Sequence, residues 1–480
     1  MKAAIRITKP KHPENVANIA RSGEAGGLLG SRLKVGFHRA WLAAALMATA
    51  SFGMADDYTP KALESGRADP SLHLRQGSTQ TEAQKVNEVI YKATGFGNTF
   101  MVVTDQGNVI VDTSLEAMAP HHKKLLTAVS DGPIHSVIIT HAHADHTGGV
   151  ELWREPETRV IAQENMVEFL HYQNRLSGMF NRRNQAQFGF ELDSRQMPAS
   201  NADNFGADIF PNTLFDKEYT FSAGGQQFQV LHTPAETYDA LTVWMPQHKA
   251  AFVGDLYYRS FPNIYTLRGT KPRWALDYID SLNRVLALKP ELLLPSHGEP
   301  IEGWDNIRAA LTQYRDAIQY VHDQTVIGMN QGKDVYSLMR EIRLPQALDV
   351  GEGYGWISWS VRGIYEGYVG WFDANPVSMY AESPESVYPE LVAMAGGADK
   401  VIKQAQPLLE QGELVKALRL AEAALLADPH NRTALELRLT ALSQLRQDSS
   451  NLNESGWLNF GIRETQRRLE QVEAATPKRR

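Results

Sequence analysis

The stretch Thr140-His141-Ala142-His143-Ala144-Asp145-His146 packs four metal-ligand side chains into six residues, directly after the apolar run Val137-Ile138-Ile139. Imidazole and carboxylate at this spacing suit zinc or a similar divalent ion. Gly148-Gly149 follow and open a helix, so the backbone can turn and aim successive ligands at one cavity. A lone strand-end histidine is usually structural. Four ligand side chains at the edge of a buried strand are a strong metal signal.

The flanking pattern supplies the strands and helices that such a strand end requires. Glu88–Tyr91, Thr99–Val103 and Val109–Val111 read as strands, with a hairpin turn at Asp105-Gln106-Gly107. Helical periodicity runs from Ala117 to Val129, then a strand over 134–139 delivers the histidines. A further strand at Val160–Ala162 precedes a helix near Glu164. A second series starts near Glu218, alternates through Phe228 and Val230 to His232, and continues through 241–244 and 251–253. A helix at 275–288 then leads to Leu292–His297. Strands alternating with helices imply an α/β layered domain. Two strand-rich halves, each ending in metal-type residues, imply an αββα sandwich with metals at one edge. From 303 the pattern is mainly helical. A tetratricopeptide-like hairpin lies over 399–445, and no second copy follows at the expected period. The expected division is a signal peptide over 1–55, a catalytic domain over 56–302 and a helical domain over 303–480.

At 480 residues the chain exceeds one compact core. A net charge of −7 argues against nucleic-acid binding, which needs a basic face. Arg32, Lys34 and Arg39 precede the apolar run Trp41–Met54, with Gly53 and Ala55 at cleavage-site positions before Asp56. This reads as an export signal. The run is too short to span a bilayer, which takes ~20 apolar residues, so no stable membrane insertion is expected after processing. Residues 1–55 carry eight Lys/Arg against two Asp/Glu, so the remainder has a net charge of −13. Cysteine is absent, which excludes disulfides, cysteine nucleophiles and thiolate ligands. Periplasmic or secreted location is the expectation.

The histidine cluster resembles the HxHxDH signature of the metallo-β-lactamase superfamily. His232-Thr233-Pro234-Ala235-Glu236-Thr237 resembles its HTPGHT block, with Glu236 where histidine is usual. Phe252-Val253-Gly254-Asp255 and Pro295-Ser296-His297-Gly298 resemble the blocks carrying the bridging carboxylate and the last histidine. The resemblance implies His141, His143 and Glu236 on one metal, Asp145, His146 and His297 on the other, and Asp255 bridging. Two zinc ions per subunit would then bring a shared water toward neutrality in pKa, with Asp145 and Asp255 as catalytic carboxylates. His232 is left off the site as structural.

Glu236 points to one branch. It is similar to the zinc-dependent alkylsulfatases, as are Leu267-Arg268-Gly269, where the family arginine binds sulfate, and Ser358–Tyr365 with Gly370–Asp373, which resemble the alkylsulfatase dimerisation domain. The resemblance covers residues 86–460 and does not extend to the sterol-carrier-like domain of longer members. Asp255 departs from the glutamate usual there. The resemblance implies a homodimer hydrolysing alkyl sulfate monoesters to alcohol and sulfate. The residues support an anionic ester independently: Arg268, Lys271 and Arg273 form a cationic group on an acidic chain, and guanidinium pairs with sulfate oxygens. Arg182 and Arg183, in an expected loop, are further candidates, and Tyr257, Tyr258, Phe261 and Tyr265 are candidates for lining an alkyl channel. The alternatives are another hydrolase on the same site, acting on a lactam, lactone, thioester or phosphoester, and a catalytically silent metal-bound scaffold.

Overall fold

Side-chain alternation sorts the strands into layers. On Thr99–Val102, Phe100 and Val102 face a core between two sheets, while Met101 faces a core beneath helices. The computed structural model describes residues 74–189 and 211–475; the expected export segment, 1–55, lies outside them. The first sheet runs in chain order through β1 (Gln84–Lys85), β2 (Ile90–Ala93), β3 (Thr99–Val102), β4 (Asn108–Val111), β5 (Ile134–Ile138), β6 (Arg159–Gln163) and β7 (Thr213–Phe215). It is antiparallel up to β4 and parallel from there. The second sheet comprises β8 (Glu218–Ala223), β9 (Gln226–His232), β10 (Leu241–Met245), β11 (Ala250–Gly254), β12 (Leu292–Pro295) and β13 (Ile301–Glu302). There β11 and β12 are parallel and the other pairs antiparallel.

Helices cover both outer faces. On the side of the first sheet lie α1 (Ala119–Thr127), α2 (Ala144–Thr147), α3 (Val150–Trp153) and α4 (Asn165–Arg175), followed by α5 (Ser177–Phe188), which packs on the last helix of the chain; Leu126, Trp153 and Phe169 pack on Ile110, Val137 and Ile139. Between the sheets Phe100 meets Phe252 edge-to-face at 5.3 Å. Burying each such ring removes enough apolar surface for ~1.5–3 kcal/mol. The αββα layering expected from the sequence is the observed one.

The second sheet's outer face packs against α6 (Ala275–Leu288), α7 (Trp304–Asn330), α8 (Val335–Glu341) and α9 (Ile357–Val369). Ala251, Val253 and Leu293 share a core with Leu282, Ile307, Leu311 and Val361. Packing therefore runs unbroken through the expected 302/303 boundary. A separate core is formed by α10 (Tyr388–Met394), α11 (Ala398–Glu410), α12 (Leu414–Ala427) and α13 (Arg432–Asp448), with Leu469 and Val472 of α14 (Leu452–Ala475) against it.

Two local expectations are corrected. Residues 177–188, read as a loop holding Arg182 and Arg183, are helix α5. Its polar surface hides a single apolar face at Phe180 and Phe188. Strand β2 starts at Ile90 rather than Glu88, because the Asn87 carboxamide oxygen accepts from Val89 and Ile90 N–H in a turn.

Candidate metal centre

The parallel strand β5 ends at Ile138, and the chain passes through Thr140 and His141 into α2, with His143 in extended conformation at its N-cap. The β11 end comes close from the other sheet. Gly254 has φ +54°, and a Cβ there would stand 2.8 Å from the Thr140 side chain, so only glycine lets Asp255 reach this point.

The seven ligand-type residues converge. Three groups have their ligand atoms within 4.8 Å of one another: His141, His146 and Asp255; Asp145, His146 and His297; and His143, Glu236 and Asp255. Asp255 lies between them, with Oδ1 3.0 Å from His297 Nε2 and 3.5 Å from His146 Nε2, and Oδ2 3.6 Å from His141 Nε2. Asp145 Oδ2 is 3.4 Å from His146 Nε2 and 3.5 Å from His297 Nε2.

A carboxylate just past the end of β4 organises this cluster. Asp112, with φ +56°, accepts from Thr140 N–H and Oγ1 at 2.8 Å, from Ser296 Oγ at 2.7 Å and from His146 Nδ1 at 2.8 Å. With Nδ1–H donating to Asp112, His146 Nε2 faces the centre, the orientation a metal ligand needs. Among the described residues neither His146 Nε2 nor Asp255 Oδ1 makes a hydrogen bond of good geometry, although both are buried, Oδ1 having only the His297 approach. Such groups are costly unless something satisfies them. A nitrogen and oxygen donor set without sulfur fits a divalent cation.

The ionisation pattern agrees. Burial alone would push Asp145 up, but His146 and His297 hold it at about 2. Asp255 is likewise held well below the usual range by His297 and His146 against burial. Burial lowers His146 and His297, yet the surrounding carboxylates raise both above the ordinary value. Burial, then neighbouring imidazoles, lowers His141 to about 4 and His143 well below 6.5. The surrounding carboxylates thus favour positive charge at this centre, the charge that bound cations would supply.

The opposite side is cationic. Glu236 is buried between Arg273, whose Nη1 stands 2.7 Å from Oε2, and Tyr258, whose hydroxyl donates to Oε1. Burial pushes the Glu236 carboxyl up, with Arg273 opposing. Arg273 is therefore a buried structural cation, and also donates to Asn263 O at 2.7 Å. Lys271 is bound to Tyr238 OH at 3.1 Å and lies over the Tyr172 ring at 4.6 Å. Arg268 differs: its Nη1 donates to Thr266 Oγ1 at 3.2 Å, its Nη2 stands 3.4 Å from His143 Nε2, and its face lies 5.8 Å from the Phe188 ring centroid.

Arg268 meets His143, Asp145 and Asp255 in a cavity of about 250 Å³, whose far walls are apolar: Leu115, Phe169, Tyr172, Phe180, Phe188 and Tyr354. Tyr257 and Phe261, considered for this lining, are buried in the helix-covered core instead, and Tyr258 is buried against Glu236 and His297. The helical spacing Phe180, Asn184, Phe188 was the available signal for the true wall. His232 Nε2 bonds Tyr238 O at 2.9 Å, a structural tie.

Residues 93–297 match the metallo-beta-lactamase superfamily model, and 336–467 match the alkyl sulfatase dimerisation model. A linear primary-alkylsulfatase of Pseudomonas sp. is 31% identical over 392 residues, 77% of this chain and 74% of that protein. The chain belongs to the alkylsulfatase family. Family members include an alkyl/aryl-sulfatase of Saccharomyces cerevisiae, 29% identical over 75% of this chain, and an (R)-specific secondary-alkylsulfatase of Pseudomonas sp., 27% identical over 80%. The alkylsulfatase-family chain described here spans 60% and 62% of the lengths of those two. The sec-alkylsulfatase Pisa1 from Pseudomonas sp. shares the fold, with a TM-score of 0.71 at 23% identity over 82% of this chain and 66% of that one. Superfamily fold and ligand clusters together make this a divalent-metal site.

Proposed function

We propose that this protein hydrolyses alkyl sulfate monoesters at this centre: ROSO₃⁻ and water give ROH, sulfate and a proton. The observation that carries the reading is Arg268, set where the ligand cluster meets the aromatic cavity. Its guanidinium would hold sulfate oxygens through paired, charge-assisted hydrogen bonds and offset charge building on the departing sulfate. Leu115, Phe169, Phe180 and Phe188 would take the alkyl tail and exclude water beside the ester.

In this reading His141, His143, Glu236, Asp145, His146, His297 and Asp255 would hold two zinc ions. When bound, the ions supply positive charge for the ester head and make water acidic enough to act near neutral pH. Asp145 and Asp255 would be the carboxylates that orient that water. Asp112 fixes the His146 tautomer.

A homodimer is proposed on the dimerisation-model match and on apolar side chains exposed in that region: Trp371, Val377, Met379, Tyr380 and Met394 are each more than half exposed. Light scattering at micromolar concentration tests it, and a monomer refutes it. Export with cleavage before Asp56 is proposed on the pattern of residues 32–55; N-terminal sequencing of protein from the periplasmic fraction tests it.

The deciding assay is sulfate release from a series of alkyl sulfates by metal-loaded protein, with His143→Ala as control. Turnover that rises with chain length and vanishes in the control supports the proposal. Hydrolysis of a lactam or thioester with no sulfate release would replace it.

A further inference from the structure

Outside the cavity lining, the guanidinium of Arg183 on α5 reaches the Arg268 segment, and both of its described hydrogen bonds go to backbone. Nε donates to Arg268 O at 2.7 Å and Nη2 to Leu267 O at 2.6 Å. These bonds capture the carbonyl of the Leu267–Arg268 peptide and the next carbonyl along the chain. Arg183 is itself held. Its guanidinium carbon lies 5.5 Å from the Trp457 ring centroid, within cation–π range. Trp457 Nε1 donates to Gln187 Oε1 at 3.2 Å, and Gln187 Nε2 donates to Asn453 Oδ1 at 2.7 Å. The helices touch because residue 456 is glycine; a Cβ there would meet Gln187 O at 1.6 Å.

The same turn of chain grips the opposite cavity wall. Asn451 Nδ2 donates to Glu352 O at 2.7 Å and to Tyr354 O at 3.1 Å, and Asn453 Nδ2 donates to Tyr354 O at 2.9 Å. Tyr354 lines the cavity, and its ring lies edge-on to Tyr258 at 5.6 Å. Residues 451–457 therefore join α5, the Arg268 loop and Tyr354 into one frame, although none of them lines the cavity.

We infer that Arg183 is a positioning residue for Arg268, and that residues 451–457 are the clasp by which the C-terminal helix sets the anion-binding end of the cavity. Rigid placement is what gives a bidentate guanidinium its selectivity for a planar or tetrahedral oxyanion. Released from Arg183, the Leu267–Arg268 peptide has no other side-chain anchor on these two carbonyls among the described residues. The inference rests on the reading of Arg268 as the sulfate partner.

A double-mutant cycle on inorganic sulfate affinity, measured by calorimetry with the metal-loaded full chain, tests it without needing turnover. Arg183→Gln should weaken sulfate about tenfold, the worth of one charge-assisted hydrogen bond. The same change should do almost nothing in an Arg268→Ala background, the signature of two residues acting as a unit. Arg183→Lys, which keeps one donor, should recover part of the loss. Trp457→Leu should weaken sulfate about threefold, since exposed cation–π contacts are modest. Equal weakening in both backgrounds, or none in the parent protein, overturns the assignment. Metal content and circular dichroism, unchanged in all variants, separate these outcomes from misfolding. Turnover of alkyl sulfates without the coupling sinks the Arg183 assignment alone. Coupling without turnover sinks the sulfatase reading alone.

Discussion

On the histidine side of the centre, three imidazoles and Asp145 come from one six-residue turn, and a single carboxylate, Asp112, bolts that turn to β4 and to Ser296. On the arginine side, Arg268 and Arg273 share one loop while Glu236 and Tyr354 come from two others, and these are held through backbone carbonyls, by arginines or asparagines, or by an ion pair. The first side is braced side chain to side chain within the sandwich. The second leans on helices as far away as α14. On the proposed reading, the metal-holding side is built into the sheets, whereas the segment proposed to take the substrate head is anchored from the surrounding helices. The two should be separable by mutation.

The largest effect should come from the histidine side. His146→Ala should reduce turnover on the order of 10³-fold or more, because the ions supply both charge and nucleophile, and metal content by mass spectrometry should fall with it. Arg268→Ala should lower kcat/KM on the order of 10²-fold, chiefly through KM, as expected for loss of a bidentate charge-assisted pair. Its metal content should remain that of the parent, and a fall would erase the distinction between the sides. Asp112→Asn should weaken metal binding by roughly 10–100-fold, the usual cost of losing the group that orients a ligand histidine. A chelator titration reads this, and sulfate affinity offers the contrast.

The smallest effect concerns a support outside both sides. His122, buried against Thr99 Oγ1 and Thr94 O, is lowered to about 4 by burial. The unfolded chain binds a proton near 6.5 that the folded one refuses until about 4, so this stability is present above 6.5 and is lost as pH falls through that window. Between pH 6.5 and 5.5 the loss should be about 1 kcal/mol. Denaturant midpoints for the parent and His122→Gln should converge over that interval; parallel curves would show that His122 does not contribute.

Sequence and structure agree best where the information is local. The ligand turn, the strand before it and the helix at 275–288 are each written in consecutive residues, and αββα layering follows from their alternation. Asp112 was not legible, because one carboxylate after a strand looks like any strand end until Thr140, His146 and Ser296 arrive from elsewhere. Helix α5 was missed since its apolar face repeats only every eighth residue, at Phe180 and Phe188, among asparagines, glutamines and arginines. Arg183 and Arg273 were legible as cations but not as anchors. Which carbonyl or carboxylate a guanidinium reaches is decided by tertiary approach, and nothing in the spacing of the chain encodes it.

The unbroken packing of Ala251, Val253 and Leu293 against Ile307, Leu311 and Val361 fixes how this molecule can be divided in the laboratory or in evolution. A gene cut after Glu302 would yield a product whose second sheet keeps α6 but loses the cover of α7, α8 and α9, with aggregation as the expected result. The smallest transplantable catalytic piece runs through α9, and even that piece lacks residues 451–457. Swapping C-terminal helices between relatives should therefore alter which oxyanion a chimera prefers while leaving its metal complement untouched.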